Sequence, residues 1–188
     1  KVAIVGPTGA GKTTMVNLLM RFYEISGGSI SIDGIDTTSV PRWNVHDQFS
    51  MVLQDTWVFR GTVRENIAYS KPGVTDEQIV SACKAVGLDH FVRSLPQGYD
   101  TVLDDNTSLS QGQRQLLTIA RAMLLDANML ILDEATSGFD VESDAYLHDV
   151  ILHEMKEKTV IMITHHYHNL EGMDQVWRLE GGRIKELT

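Results

Sequence analysis

Apolar and polar positions change period repeatedly along the chain, and each change predicts an element. Val2-Ala3-Ile4-Val5 is a wholly apolar run of strand length. Gly28-Ser29-Ile30-Ser31-Ile32-Asp33-Gly34 alternates, as an exposed β-ribbon does, and Phe49-Ser50-Met51-Val52-Leu53 reads as a further strand ending at Gln54. From Asp55 to about Asp105 the strand signal fades and helical signals replace it. Thr75-Asp76-Glu77-Gln78 has capping-box spacing, Ile79, Val80, Cys83 and Val86 follow the helical period, and Gly87 can close the helix. After Gln113, Leu116, Ile119, Ala120, Met123 and Leu124 recur at helical spacing, predicting an amphipathic helix about 20 Å long. Met129-Leu130-Ile131-Leu132 and Val160-Ile161-Met162-Ile163 are short and wholly apolar, the pattern of strands buried on both faces of a parallel sheet. Glu142 to Met155 reads as a helix between them, Thr164-His165 ends the second strand, and a terminal ribbon turns at Gly181-Gly182. Strands alternating with helices predict an α/β fold with a mostly parallel sheet, its ligand at the carboxyl edge, and a small helical lobe in the middle third.

Composition narrows the class. At 188 residues and 43% hydrophobic content the chain can bury one substantial core and carries no signature of disorder. A formal net charge of −9 argues against a broad nucleic-acid-binding surface, and no local basic patch is visible. The single cysteine, Cys83, fits a reducing compartment and reads as an inert core thiol. No run approaches the length needed to span a bilayer, so any link to a membrane is expected through another segment or chain. The chain opens at Lys1 and enters a strand at once, which reads as a fragment of something longer.

Gly6-Pro7-Thr8-Gly9-Ala10-Gly11-Lys12-Thr13, directly after the first strand, has the form G-x-x-x-x-G-K-[ST]. Its glycines let backbone N–H groups turn inward onto phosphates, and a helix starting near Lys12 adds its positive end. Lys12 is placed to reach the β- and γ-phosphates of a nucleoside triphosphate and the Thr13 hydroxyl to ligand Mg²⁺, with Thr8, Ala10 and Thr14 completing the cradle. Asp133-Glu134 follows the buried strand at Leu132. There Asp133 can hold Mg²⁺ and Glu134 can polarise an attacking water. Leu109-Ser110-Gln111-Gly112-Gln113 sets Ser, Gly and Gln just before a helix N-terminus, a second anion-binding arrangement.

With these motifs the sequence resembles the nucleotide-binding domain of ABC transporters, whose signature reads L-S-G-G-Q. The resemblance covers nearly the whole chain. It implies a P-loop NTPase (RecA-like) core formed by residues 1–54 and 126–188. A helical subdomain with the signature would occupy 55–125, an antiparallel β-ribbon would be added, and the N-terminal strand or strands of the family's domain would be absent. It implies that ATP and Mg²⁺ are bound, with Gln54 as the Q-loop glutamine touching metal and water site. Leu132-Asp133-Glu134 would be the Walker B motif, Ser137-Gly138-Phe139-Asp140 the D-loop and His165 the switch histidine. In the family two such domains close head-to-tail around two ATPs. Ser110, Gly112 and Gln113 would then complete the partner's γ-phosphate shell, and Asp140 would bridge to the opposite site.

Gly61-Thr62-Val63-Arg64-Glu65-Asn66-Ile67 and Leu95-Pro96-Gln97-Gly98-Tyr99-Asp100-Thr101 resemble exporters that fuse a membrane domain to each cassette. The implied partners are a second nucleotide-binding domain and transmembrane domains, at the cytoplasmic face of a membrane. A soluble ABC ATPase of translation or DNA maintenance is the alternative. The chain departs from the family at Gln111, where the signature has Gly, at Leu103-Asp104-Asp105-Asn106-Thr107 before it, and at Gly138-Phe139 in the D-loop. The first two are reminiscent of heterodimer halves, and homodimer and heterodimer both stay open. His166 and His168 after His165 read as loop residues. The family's adenine-stacking aromatic would lie upstream of Lys1, and core or lobe packing is expected for Tyr23, Trp43 and Trp57.

Overall fold

The computed structural model describes residues 1–53, 55–69, 71–104, 109–135, 138–165 and 170–187. In chain order the elements begin with β1 (Val2–Val5), α1 (Lys12–Leu19), β2 (Ser31–Ile32), β3 (Ile35–Asp36), α2 (Arg42–His46) and β4 (Phe49–Val52). Next come β5 (Gly61–Thr62), α3 (Val63–Ala68), α4 (Asp76–Ala85), α5 (Asp89–Ser94), β6 (Val102–Leu103) and α6 (Gln111–Leu124). The chain finishes with β7 (Met129–Asp133), α7 (Val141–Glu154), β8 (Thr159–Thr164), β9 (Gln175–Glu180) and β10 (Arg183–Glu186). The fold is the mixed α/β arrangement of the P-loop ATPases, with a mostly parallel central sheet and an antiparallel ribbon.

The residues divide into two compact units, the first made of 1–51, 127–134 and 157–188. Its sheet has the order β10-β9-β1-β8-β7-β4. β8 pairs in parallel with β1 on one side and β7 on the other, bringing Val5 opposite Thr164 and Asp133 opposite Ile163. β1 has neighbours on both edges and both faces, so its side chains find apolar surroundings either way. Ile4 joins Val16, Met20, Ile131, Ile163 and Leu179 in one cluster, while Ala3 and Val5 join Val176 in another. That two-sided burial is why the run is continuous rather than alternating. The terminal ribbon of the sequence reading is also part of this sheet. β9 runs parallel to β1, with Val2 opposite Gln175, and β10 folds back antiparallel on β9.

The second unit comprises 52–126 and 135–156. By its contacts α7 groups here: the Tyr146 hydroxyl donates to the Ala85 carbonyl at the end of α4, 2.9 Å away. Capping sets where the helices begin. Thr62 with Glu65, Thr75 with Gln78 and Ser110 with Gln113 each form a complete capping box. The box at Ser110 starts α6 at Gln111, ahead of the Gln113 start that the apolar spacing suggests. β5 and β6 form a short antiparallel ribbon where no strand was expected, pairing Gly61 with Leu103 and Thr62 with Val102. Two residues a strand are too few to show a period of two in sequence. Cys83 is fully buried, and burial pushes its thiol up to about 11, consistent with an inert core position. Packing was expected for Tyr23 and Trp43, but both lie more than half exposed. Trp57, equally exposed, touches Phe59 and Tyr69 with ring centroids 5.7 and 6.2 Å away, a surface packing within the lobe.

Asn66 staples this unit from inside. It is fully buried, its Oδ1 accepts from the Phe59 amide at 3.1 Å, and its Nδ2 donates to the carbonyls of Phe59 at 2.9 Å and Thr62 at 3.1 Å. Arg121 of α6 donates through Nε to the Asn66 carbonyl at 2.8 Å. Asn66→Ala strips partners from several part-buried backbone groups at once, so a loss of about 2 to 4 kcal/mol is expected. A chemical-denaturation midpoint at the parent's value would contradict that role.

Candidate active site

The loop leaving β1 is shaped by its glycines. Gly9 and Gly11 adopt φ of 79° and 101°, a region that residues with a Cβ reach only under strain. At Gly6 the constraint is contact: a Cβ there would sit 2.3 Å from the carbonyl oxygen of Leu179 in β9. The loop ends at Gly11, which caps α1 without a side-chain acceptor, and no acidic residue lies in the first turn of α1. The other helices of eight residues or more, α4, α6 and α7, are each capped by a side chain, whereas the short α2 and α5, like α1, are not. An uncapped helix N-terminus behind a glycine loop suits a phosphate group. Thr8, Gly9, Thr13 and Thr14 face solvent, Ala10 and Gly11 are half-buried, and Lys12 is buried with its Nζ donating to the carbonyls of Gly6 at 2.8 Å and Pro7 at 3.1 Å.

Asp133 is the last residue of β7, and the Thr13 hydroxyl donates to its Oδ2 at 3.2 Å. Burial pushes the Asp133 carboxyl above the ordinary carboxylate range, with the Thr13 hydrogen bond opposing. Burial also holds the Lys12 ammonium below its usual value, while the charges of Glu134 and Asp133 act the other way. Glu134 has φ of 50°, uncommon for a residue with a side chain, and its amide donates to the Ile163 carbonyl at 3.0 Å. That backbone turn sends the Glu134 carboxylate to Nε2 of His165, with which it is paired. Nδ1 of His165 lies 3.2 Å from the Gly6 carbonyl oxygen and 3.4 Å from Lys12 Nζ. Each ring nitrogen therefore faces an oxygen, and a ring N–H has an acceptor in either tautomer.

Lys12, Thr13, Asp133, Glu134 and His165, chosen from three separate stretches of sequence, thus meet in the first unit. They sit at the carboxyl ends of β1, β7 and β8, and β8 stands between the other two. Two oxygen donors, Thr13 Oγ1 and Asp133 Oδ2, lie side by side, a donor set that suits a hard divalent cation. The direct pairing of Glu134 with His165 had no local signal in the sequence.

The remaining predicted site residues belong to the second unit. Ser110 caps α6, its Oγ accepting from the Gln113 amide at 3.1 Å, while Gln113 Oε1 accepts from the Ser110 amide at 2.9 Å. The box occupies acceptor positions only, so the Ser110 hydroxyl proton and the Gln113 side-chain NH₂ are still able to donate to an anion. Gly112 is half-buried in the first turn of that helix. Asp140 caps α7, accepting from the amide and the hydroxyl of Ser143, each at 2.9 Å. Those hydrogen bonds hold its carboxyl below the ordinary range. Its capping role went unread in the sequence, although an Asp followed three residues later by Ser carries the signal. Gln54, Ser137, the stretch Asp105-Asn106-Thr107, and His166 and His168 lie outside the described residues.

Comparison with known proteins follows the same lines. The chain is 48% identical over 186 residues to a "Fatty acid ABC transporter ATP-binding/permease protein" of Mycobacterium bovis, covering 98% of this chain and 30% of that protein. The "Uncharacterized ABC transporter ATP-binding protein YfiC" of Bacillus subtilis is 44% identical over 186 residues, 98% of this chain and 31% of that one. Among solved structures, that of a bacterial Atm1-family ABC exporter with ATP bound matches with a TM-score of 0.90 and 35% identity, over 99% of this chain and 33% of the other. The chain therefore spans about a third of the length of these relatives. Residues 1–137 match the family described as "ABC transporter". That match spans more than half of the chain, and the chain belongs to the ABC transporter family.

Proposed function

We propose that this chain is the ATP-binding and ATP-hydrolysing motor domain of an ABC exporter. One observation carries the reading: Lys12, Thr13, Asp133, Glu134 and His165 converge at the carboxyl ends of three adjacent parallel strands. The loop from Gly6 to Thr13 and the first turn of α1 bind the triphosphate, Lys12 neutralising its terminal phosphates. Thr13 and Asp133, with Gln54, hold Mg²⁺. Bound there, Mg²⁺ offsets the negative charge that gathers on the phosphates during transfer. Glu134 orients the attacking water and accepts its proton, and His165 contacts the γ-phosphate while keeping Glu134 aligned.

The signature turn at Ser110, Gly112 and Gln113 offers its donors to nucleotide held by a second such domain, identical or distinct. Asp140, at the start of α7, bridges to that opposite site. Residues 1–54 and 126–188 are assigned to the nucleotide-binding core and 55–125 to the helical subdomain, although 135–156, with α7, group by their contacts with the helical unit. Relatives named as ATP-binding/permease proteins support an exporter with transmembrane domains, acting at the cytoplasmic face of a membrane, over a membrane-free ATPase.

Calorimetric titration with ATP tests the site. Mg²⁺ is expected to tighten ATP binding about tenfold or more, roughly 1.4 kcal/mol, and Thr13→Ala to erase that gain. Equal affinity with and without Mg²⁺ in the parent would overturn the assignment of Thr13 and Asp133.

A further inference from the structure

Arg121, in the last turn of α6, is 8% exposed and has no carboxylate partner among the described residues. Arg21, Arg42, Arg64, Arg93 and Arg178 each pair with one. Arg121 instead spreads its guanidinium over neutral groups of the second unit. Nε donates to the Asn66 carbonyl at 2.8 Å, Nη2 to Asn66 Oδ1 at 3.4 Å and Nη1 to the Trp57 carbonyl at 3.3 Å. The Tyr69 ring centroid lies 4.7 Å from its Cζ. Burial pulls the guanidinium below the usual arginine pKa. A buried cation held by neutral groups alone costs desolvation free energy, so stability by itself does not account for it.

The groups that it grips point to a role. Residues 57–59 lie in no helix or strand, so no ladder of their own fixes them. Two buried side chains do so instead: Asn66 brackets Phe59 through its amide and carbonyl, and Arg121 takes the Trp57 carbonyl. Tyr69, whose ring faces the guanidinium, is held at φ of 45°, a strained turn that persists only where its surroundings fix it. Trp57 stands three residues after Gln54 in the chain. Three residues reach about 11 Å at most when fully extended, so holding Trp57 limits where Gln54 can go.

We propose that Arg121 is a positioning residue for Gln54, because by tying the Trp57 carbonyl to α6 and Asn66 it sets the stretch that presents Gln54 to Mg²⁺. The proposal rests on the function given above, in which Gln54 holds the metal with Thr13 and Asp133. A planar fork reaches the Asn66 and Trp57 carbonyls together, whereas a lysine ammonium keeps the charge on a single nitrogen.

The test is calorimetric titration with ATP, with and without Mg²⁺, on the full-length protein that carries this chain, with thermal unfolding measured beside it. The parent's Mg²⁺-dependent gain in affinity, about tenfold, is expected to fall to about threefold in Arg121→Lys, while Mg²⁺-free affinity stays within about twofold and the unfolding midpoint near the parent's. Arg121→Gln, which buries no charge, is expected to lose the gain alike. Gln54→Ala is expected to cut it too, and the Arg121→Lys, Gln54→Ala double variant to be no worse than Gln54→Ala, since Arg121 acts through that residue. A full gain in either Arg121 variant, whatever its midpoint, or losses that multiply in the double variant, would overturn the positioning role. A parent with no Mg²⁺-dependent gain would defeat the functional reading itself, whereas a parent that shows the gain and an Arg121→Lys variant that keeps it sink only the role of Arg121.

Discussion

Glu134→Gln is expected to leave ATP binding near the parent's level and to slow turnover on the order of a hundredfold, about 2.7 kcal/mol of barrier. The amide keeps the size and the polar contact but cannot accept a proton from water. Geometry adds a second reason. Glu134 is held at φ of 50° and paired with His165 Nε2, while His165 in turn faces the Gly6 carbonyl. A position kept in a strained backbone by its surroundings is one where the side chain's direction matters. The glutamine keeps a hydrogen bond to the ring, so binding by Lys12 and the loop is preserved while the proton acceptor is lost. Steady-state ATPase alongside equilibrium ATP binding checks both halves, and an unchanged turnover rate would remove Glu134 from the chemistry.

Lys12→Met is expected to weaken ATP binding on the order of a hundredfold, about 2.7 kcal/mol, without weakening the fold. Lys12 is only 5% exposed, and burial lowers its pKa from the usual lysine value. A lysine whose folded pKa lies below its unfolded one is destabilising wherever both states carry the charge. At neutral pH that cost is fully present. It fades only as alkaline pH passes through the folded pKa, where the folded state gives up its proton first. Methionine fills the same space uncharged, so thermal unfolding at pH 7 is expected no lower than the parent's, and the advantage should shrink as pH rises. A phosphate arriving beside Lys12 supplies an anionic partner in addition to the Gly6 and Pro7 carbonyls, His165 Nδ1 and the nearby Asp133 and Glu134. A variant that loses both affinity and stability would show Lys12 to be structural instead.

Much of the site was legible because it is written in contiguous residues. The glycines at 6, 9 and 11 and Lys12-Thr13 share one turn, so their spacing is already their geometry. The box at Thr75 and Gln78 and the apolar runs 129–132 and 160–163, which form most of β7 and β8, were likewise visible, since caps and apolar runs act within a few residues. Asp140 shows where local reading was incomplete. Its place in a motif suggested a long-range role, and its hydrogen bonds to Ser143 show a local one as well.

The sequence by itself determined which residues are candidates to hold a triphosphate and where the longer buried strands and capped helices run, because propensity, capping and burial patterns are short-range properties of the chain. Tertiary structure alone decided that β8 lies between β1 and β7 and that β9 closes against β1. An apolar strand buried on both faces reads the same whatever strand lies beside it. Only long-range pairing, which local periodicity does not encode, could set His165 between Gly6 and Glu134.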